Sequence, residues 1–249
     1  PPVGWGAVEI IIWEYYINLK KLGWQVDIVN TKDTDEIIKT VNKGNYIFAH
    51  LHYDVYYHIL NKLNVKYIAF TSHYPYISDK SKHIKDGYNK IYEFMTSQKK
   101  YYNFMLNEKD ISALVNDGAN QDLIYILQNG ASSDNFIWSI IPKYSDKTIC
   151  LGWITTRKRQ AFLQKIEDCG LYFAGRPECR EFNYNSSHYL GEWTKDQVYN
   201  ELTNYSNLVL LSNGEANPLV LREALMSGLS IVINSESGTL LDDKEFITV

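Results

Sequence analysis

The sequence has little cysteine, no long apolar run and no excess of positive charge. Its three cysteines, Cys150, Cys169 and Cys179, are odd in number and lack Cys-x-x-Cys spacing, so reduced thiols are expected. No apolar run approaches the roughly 20 residues that a membrane-spanning helix needs, and we expect no signal peptide. With 25 Lys and Arg against 29 Asp and Glu, the net charge of −4 argues against nucleic-acid binding. We therefore expect a cytoplasmic protein.

The composition instead favours a well-packed α/β chain. Hydrophobic residues make up 45% of the 249 residues, which is enough for a large core and excludes global disorder. Strand-like and helix-like segments alternate, and this pattern is typical of parallel sheets covered by helices. The predicted helices are residues 7–23, 34–44, 55–64, 79–108, 111–119, 157–170, 194–206 and 218–228. The predicted strands are residues 24–30, 46–51, 66–73, 123–130, 148–154, 171–175, 207–212, 230–234 and 245–249.

The alternation predicts two Rossmann-like domains facing each other across a cleft. Pro142 interrupts the pattern, so we place an N-terminal domain at 1–141, a linker at 142–147 and a C-terminal domain at 148–249. The chain opens on a glycine turn without a preceding strand and closes on a strand without a following helix. We expect both ends to be truncated.

Residues 213–228, NGEANPLVLREALMSG, predict a binding loop that leads into a buried helix. Asn217 suits the N-cap and Pro218 the first helical position, so the amides at Asn217–Leu219 form a candidate anion site. Glu215 would lie beside the anion at a strand's carboxyl end, and Glu223 could accept hydrogen bonds from a diol. The alternative is that Glu215 favours the helix N-terminus and Glu223 is a solvated surface residue.

The same segment resembles the E-x7-E signature of retaining GT-B glycosyltransferases, particularly the family 4-like group. Glu215 and Glu223 match the two glutamates, and Gly228 matches the glycine that ends the helix. The usual glycine, aromatic residue and proline of the pattern are replaced by Ala216, Asn217 and Ser230. The resemblance implies that Glu215 contacts the donor sugar and that Glu223 holds the nucleotide ribose.

The resemblance extends over nearly the whole chain. VGWGAVE is similar to the family's N-terminal glycine segment, which implies that Gly4 and Gly6 face the donor phosphates; a glycine turn packed on its helix is the alternative. TSHYPY is similar to the family's T-x-H, which implies that His73 reaches the transferred sugar. Without the family, His73 reads as a loop or core histidine.

A third match covers LGWITTRKRQ, which resembles the family's G-R-x4-K-G. It implies that Lys158 pairs with the donor diphosphate. Trp153 stands where the family has arginine, so Arg157 or Arg159 is expected to substitute; a charged helix start in water is the alternative. YLGEWTKDQVY resembles the family's x-L-G-x-V-x4-L stretch, which implies that main-chain groups near Glu192 and Trp193 line a base pocket together with the AGRPE loop that contains Arg176.

Metal binding is not expected. His50 and His52 have the His-x-His spacing of a zinc site, but no nearby carboxylate or cysteine completes the ligand set. Asp33 and Asp35 imitate a D-x-D motif, but an N-cap followed by a charged first turn explains them. The lysines and aromatic residues of 80–105 predict a solvated helical face, with contact to an acceptor glycan or the inner membrane face as the alternative.

Taken with the resemblance, these features predict a metal-independent, retaining, hexosyltransferase-type glycosyltransferase without a cofactor. Its donor would be a nucleotide diphosphate sugar, and its acceptor an unidentified glycan, lipid or small molecule with a hydroxyl. Two alternatives remain open at this point. One is a degenerate GT-B domain that binds nucleotide or glycan without turnover, and the other is a nucleotide-sugar epimerase of the same fold.

Overall fold

The computed structural model describes residues 6–166, 170–238, 241 and 245–248. They form two compact units that divide between Gln128 and Asn129. The first unit contains nine α-helices and strands in its described residues, together with short 3-10 helices. They are α1 (Ala7–Lys21), α2 (Thr34–Lys43), β1 (Phe48–Leu51), β2 (Tyr67–Thr71), α3 (Lys80–Asp86), α4 (Asn89–Ser97), β3 (Tyr102–Met105), α5 (Glu108–Asn116) and β4 (Ile124–Ile126).

The sheet of the first unit is parallel, and its strand order β1-β2-β3-β4 is the order of the chain. Because parallel crossovers are right-handed, a sheet built in one direction receives its connections on one face. On that face Ile68, Phe70 and Met105 are buried in a core that includes side chains from α2, α4 and α5. On the other face Phe48 and Tyr125 remain exposed.

The second unit has a five-stranded parallel sheet in its described residues, in the order β6-β5-β7-β8-β9. Because the chain leaves β5 for one side of the sheet and returns on the other, strand order reverses between β5 and β7. Open parallel sheets bind ligands outside the carboxyl ends of the strands at such a point. The elements are β5 (Tyr144–Leu151), α6 (Gln160–Leu163), β6 (Leu171–Ala174), α7 (Lys195–Glu201), β7 (Tyr205–Leu210), α8 (Leu219–Met226), β8 (Ser230–Ile233) and β9 (Ile247–Thr248).

Both faces of this second sheet are covered. Ile149 and Leu208 pack in a core with residues of α7 and α8. Cys150, Phe173 and Val209 pack in a separate core on the opposite face. Alternate residues of each strand therefore enter different cores, as the apolar runs of buried parallel strands predict.

Several predicted elements differ from the structure. Residues 24–30 form no strand, since neither β1 nor another described strand pairs with them. The helix predicted at 55–64 is a 3-10 helix over Asp54–Lys62. The helical region predicted at 79–108 ends at Ser97 and is followed by β3, whose aromatic residues suit a strand.

The second unit also departs from the sequence expectations. The helix predicted over 157–170 is a single turn, α6, and Glu167–Cys169 lie outside the described residues. Within the predicted linker 142–147, Tyr144–Lys147 belong to β5, and the two compact units divide between Gln128 and Asn129. The N-cap role predicted for Asp33 is confirmed: its carboxylate accepts from the amides of Asp35 and Glu36. In the described ranges, no helix has both the length and the apolarity needed to cross a membrane.

Gly175 is required where β5 and β6 end. Its φ is +153°, and a Cβ there would lie 1.9 Å from the carbonyl oxygen of Gly152. We expect Gly175→Ala to lower the free energy of unfolding by about 3 kcal/mol, from backbone strain and overpacking. Urea unfolding measures this. Gly191→Ala is the control: it has φ +81° but nothing within 4 Å of the added Cβ, so a loss of only about 1 kcal/mol is expected. If both variants lost the same free energy of unfolding, the approach of the added Cβ to the Gly152 carbonyl oxygen would have no energetic cost.

Candidate functional site

A charged cluster lies where β5 and β7 end, at the reversal of strand order in the second unit. Glu215 Oε1 is 2.9 Å from Arg157 Nη1, 3.3 Å from Lys158 Nζ and 2.8 Å from Ser212 Oγ. Arg157 also donates to the carbonyl of Gly214 through Nη1. The carboxylate side chain is only 10% exposed. Two cations therefore converge on one nearly buried carboxylate.

The loop that carries the cations is held by buried contacts. Gln160 is fully buried and donates through Nε2 to the carbonyl of Trp153, at 2.7 Å. Its Oε1 accepts from the amide of Thr155 at 3.2 Å, and the Thr155 hydroxyl accepts from the amide of Lys158. Arg159 follows with φ +59°, a left-handed conformation that non-glycine residues rarely adopt. These contacts fix the backbone from which Arg157 and Lys158 extend.

The cluster keeps Glu215 ionised. Burial raises the pKa of this carboxyl, but Lys158, Arg157 and the Ser212 hydroxyl together outweigh it, so that the pKa lies below its ordinary value. A charged Glu215 leaves the cluster with one net positive charge from its two cations. The cluster can therefore accept an anion while Glu215 accepts hydroxyl hydrogen bonds.

Glu223 lies in α8 and is 6% exposed. The ammonium group of Lys195, in the first turn of α7, contacts its Oε1. The alternative of a solvated surface glutamate is therefore wrong, and the carboxylate has a cationic partner that no sequence motif indicated. A cation at a helix N-terminus opposes the helix dipole, so the position of Lys195 was a signal that it has another role.

The start of α8 differs from the prediction by one residue. Pro218, not Asn217, occupies the N-cap, and α8 begins at Leu219 without a side-chain cap. Asn217 is buried, and its carbonyl accepts from Nδ2 of Asn129 at 2.7 Å. Asn217, Pro218 and Leu219 thus belong to a fixed turn next to the Glu215 loop.

Trp153 and Arg176 form a pair at the ends of β5 and β6. The Arg176 guanidinium carbon lies 5.0 Å from the centre of the Trp153 ring, a cation–π contact. Trp193, by contrast, packs against the core of the second unit, with its ring 6.2 Å from that of Tyr205. The structure therefore places Arg176 over the ring of Trp153 and packs Trp193 against the core of the second unit.

A second cluster, of three histidines, lies in the first unit at the carboxyl ends of β1 and β2. The rings of His50 and His52 are 3.9 Å apart, and those of His52 and His73 are 5.9 Å apart. His50 Nε2 lies 2.7 Å from the Thr71 hydroxyl. His52 Nδ1 and His73 Nε2 are buried and have no hydrogen-bond partner in the described part of the chain.

Burial holds these imidazoles neutral. It lowers the pKa of His50 to about 3, with help from His73, and that of His52 to about 2, with help from both neighbours. Burial also lowers the pKa of His73 to about 4, against the opposing effect of Glu9. Neutral rings with unpaired nitrogens can exchange hydrogen bonds with hydroxyl groups. Among the described residues, no set of three or more His, Cys, Asp or Glu side chains is arranged to hold a metal ion.

The predicted residues are thus brought together in part. Glu215, Lys158 and Arg157 form one cluster, Glu223 lies in the next helix, and His73 belongs to the histidine cluster of the other unit. Gly6 is the N-cap of α1, and a Cβ there would lie 3.0 Å from Glu9 Oε2. Gly4 lies outside the described residues. Ser212 and Gln160 were missed because nothing in their sequence context marks them.

Neither a family model nor a curated protein sequence matches this chain. Solved structures do. HepE from Anabaena, crystallised with UDP-glucose, is 11% identical with a TM-score of 0.66, and the match covers 95% of this chain and 75% of HepE. WaaG, a glycosyltransferase of lipopolysaccharide biosynthesis, is 14% identical with a TM-score of 0.63, and the match covers 95% of this chain and 80% of WaaG.

AviGT4, a glycosyltransferase of avilamycin A biosynthesis, is 13% identical with a TM-score of 0.63, and the match covers 95% of this chain and 73% of AviGT4. At these identities the likeness concerns the fold. It confirms the expected α/β fold, that of GT-B glycosyltransferases, over nearly the whole chain.

Proposed function

We propose that this chain is a glycosyltransferase that moves a sugar from a nucleotide diphosphate donor to a hydroxyl acceptor, with retention of anomeric configuration and without a metal. The observation that carries the proposal is the Arg157–Lys158–Glu215 cluster at the reversal of strand order in the second unit. It combines cations for a diphosphate with a carboxylate for sugar hydroxyls. The fold shared with HepE, whose structure contains UDP-glucose, supports the same donor class.

In the proposed reaction, the bond between the anomeric carbon and the diphosphate oxygen breaks as a bond to the acceptor oxygen forms. The acceptor's proton is released with the nucleoside diphosphate. Lys158 and Arg157 stabilise the charge that grows on the departing diphosphate. Glu215 orients the sugar through its hydroxyls and is not assigned a nucleophilic role. His73, in the first unit, has a neutral Nε2 without a hydrogen-bond partner among the described residues, and this nitrogen can exchange a hydrogen bond with a hydroxyl group.

Titration calorimetry with UDP, GDP and ADP tests the donor site, and release of the diphosphate from the matching nucleotide sugar tests turnover. Binding with release would support the transferase. Trp153, which stands where the family has arginine, favours one alternative: a chain that binds nucleotide without turnover. Binding without release, under a broad set of acceptors, would support that alternative. Absence of binding at millimolar concentration would overturn both.

Glu223 is proposed to accept hydrogen bonds from the ribose diol, in competition with Lys195 or together with it. We expect Glu223→Gln to weaken UDP binding about ten-fold, equivalent to roughly 1.4 kcal/mol. It should also remove the preference of the wild-type protein for UDP over 2′-deoxy-UDP. The substitution weakens the hydrogen bond to the 2′-hydroxyl, and only UDP has that hydroxyl.

Glu201→Gln is the matched control, since Glu201 is an exposed glutamate at the end of α7. It should change neither affinity. If Glu223→Gln lowered the urea midpoint but kept the preference for UDP, Glu223 would serve only as the ion-pair partner of Lys195.

A further inference from the structure

The strand ladder explains why Arg176 lies over Trp153. Leu151 pairs with Ala174 at the end of the β5–β6 ladder, and Ile154 forms an isolated parallel bridge with Pro177. The amide of Ile154 donates to the carbonyl of Arg176 at 2.9 Å. The two segments therefore continue side by side beyond the strands, and positions 153 and 176 are opposite one another. Paired positions in parallel strands carry their side chains on the same face.

The two glycines between the strands and this pair bring the backbones into contact. A Cβ on Gly175 would overlap the Gly152 carbonyl, and a Cβ on Gly152 would lie 3.4 Å from Lys158 Nζ. Lys158 thus borders the residue directly before Trp153. The Trp153–Arg176 pair and the Glu215 cluster therefore lie at the same edge of the second sheet.

The three arginines at this edge of the second sheet differ in their contacts. Arg157 contacts Glu215 and the Gly214 carbonyl, so part of its charge is compensated by groups of the protein before a ligand binds. Arg159 is the N-cap of α6 and makes no described side-chain contact with the cluster. Arg176 is exposed, and its described partner is an aromatic ring rather than a carboxylate.

A guanidinium in cation–π contact with an indole retains N–H groups that can donate hydrogen bonds to a ligand. Those donors match two phosphate oxygens at once, which an ammonium group does not achieve. Trp153 is 47% exposed, so the pair is accessible to a ligand. We propose that Arg176, carried on the ring of Trp153, binds the diphosphate of the donor and replaces the cation absent at position 153. This inference rests on the proposed function and adds a phosphate-binding residue to its site.

The test compares UDP, UMP and uridine by titration calorimetry on the full chain. Arg176→Gln should weaken UDP binding about ten-fold and affect uridine by less than about two-fold, since the nucleoside has no phosphate. Arg180→Gln is the control, because Arg180 is an exposed arginine of the same segment; it should leave all affinities unchanged. Urea midpoints check that each variant is folded.

A second variant provides a rescue. Trp153→Arg combined with Arg176→Gln moves the cation to the position where Trp153 now stands, and it should restore UDP affinity to within about three-fold of the wild type. If Arg176→Gln behaves like Arg180→Gln, or weakens uridine as much as UDP, the inference is overturned while the proposed function stands. If the wild type binds no nucleoside diphosphate, both are overturned.

Discussion

Replacing Glu215 by glutamine is expected to slow sugar transfer by at least about a hundred-fold while leaving UDP affinity unchanged or tighter. The glutamine retains an acceptor for the Ser212 hydroxyl but removes the charge that both Arg157 and Lys158 contact. The cations then carry their full charge toward the diphosphate, which favours binding. The sugar loses the carboxylate that orients it, which disfavours transfer.

Stability separates this role from a merely structural one. Removing the carboxylate leaves two partly buried cations without their partner, a change that costs about 3–5 kcal/mol in a buried pair and less where one partner is partly exposed. UDP should recover part of that loss by binding only the folded state. Thermal unfolding with and without UDP, beside an initial-rate assay, measures both effects. If UDP stabilised the variant less than the wild type, Glu215 would be a structural partner of the cations and not a sugar-binding residue.

Acidification is expected to destabilise the unit formed by residues 5–128. His50, His52 and His73 have folded pKa values of about 3, 2 and 4, below the unfolded value near 6.5. Below pH 6.5 the unfolded chain therefore binds protons that the folded chain does not. The stability contributed by neutral histidines is complete above pH 6.5 and is lost as the pH falls toward the folded pKa. Each histidine contributes a slope of up to about 1.4 kcal/mol per pH unit.

Urea unfolding between pH 7.5 and pH 4.5 measures that slope. His52→Gln removes one titrating group from the centre of the cluster, so the slope should decrease by up to about 1.4 kcal/mol per pH unit. His58→Gln is the control, because His58 is exposed and lies outside the cluster. If His52→Gln and His58→Gln had the same slope, the partly buried histidine cluster would not control acid stability.

Sequence patterns predicted elements where burial and local propensity agreed. The periodicity of 7–23 and the end signal at Gly23, which adopts φ +87°, both match α1. The strand predicted at 24–30 failed because a strand also requires a neighbour that supplies ladder hydrogen bonds. Val26 and Ile28 alternate with exposed residues as a strand should, but no described strand pairs with them.

The candidate site was predictable in its residue types but not in its contacts. The family resemblance pointed to Glu215 and Lys158. Their contact, with Lys158 Nζ 3.3 Å from Glu215 Oε1, could not be predicted from the sequence. The contact of Arg176 with Trp153 depends on the register between β5 and β6, which sets the residue opposite Trp153. A register is a tertiary property, so no local pattern in either segment could indicate the pair.

The strand order of the first sheet has a consequence for folding. Since β1, β2, β3 and β4 pair in chain order, each new strand joins the one formed before it, and no loop must close across an earlier strand. In the second unit β5 pairs with β7 across the whole of β6 and α7. Proteins with nearer contacts along the chain fold faster, and domains fold as they leave the ribosome. The first sheet can therefore be complete before the strands that create the charged cluster have met.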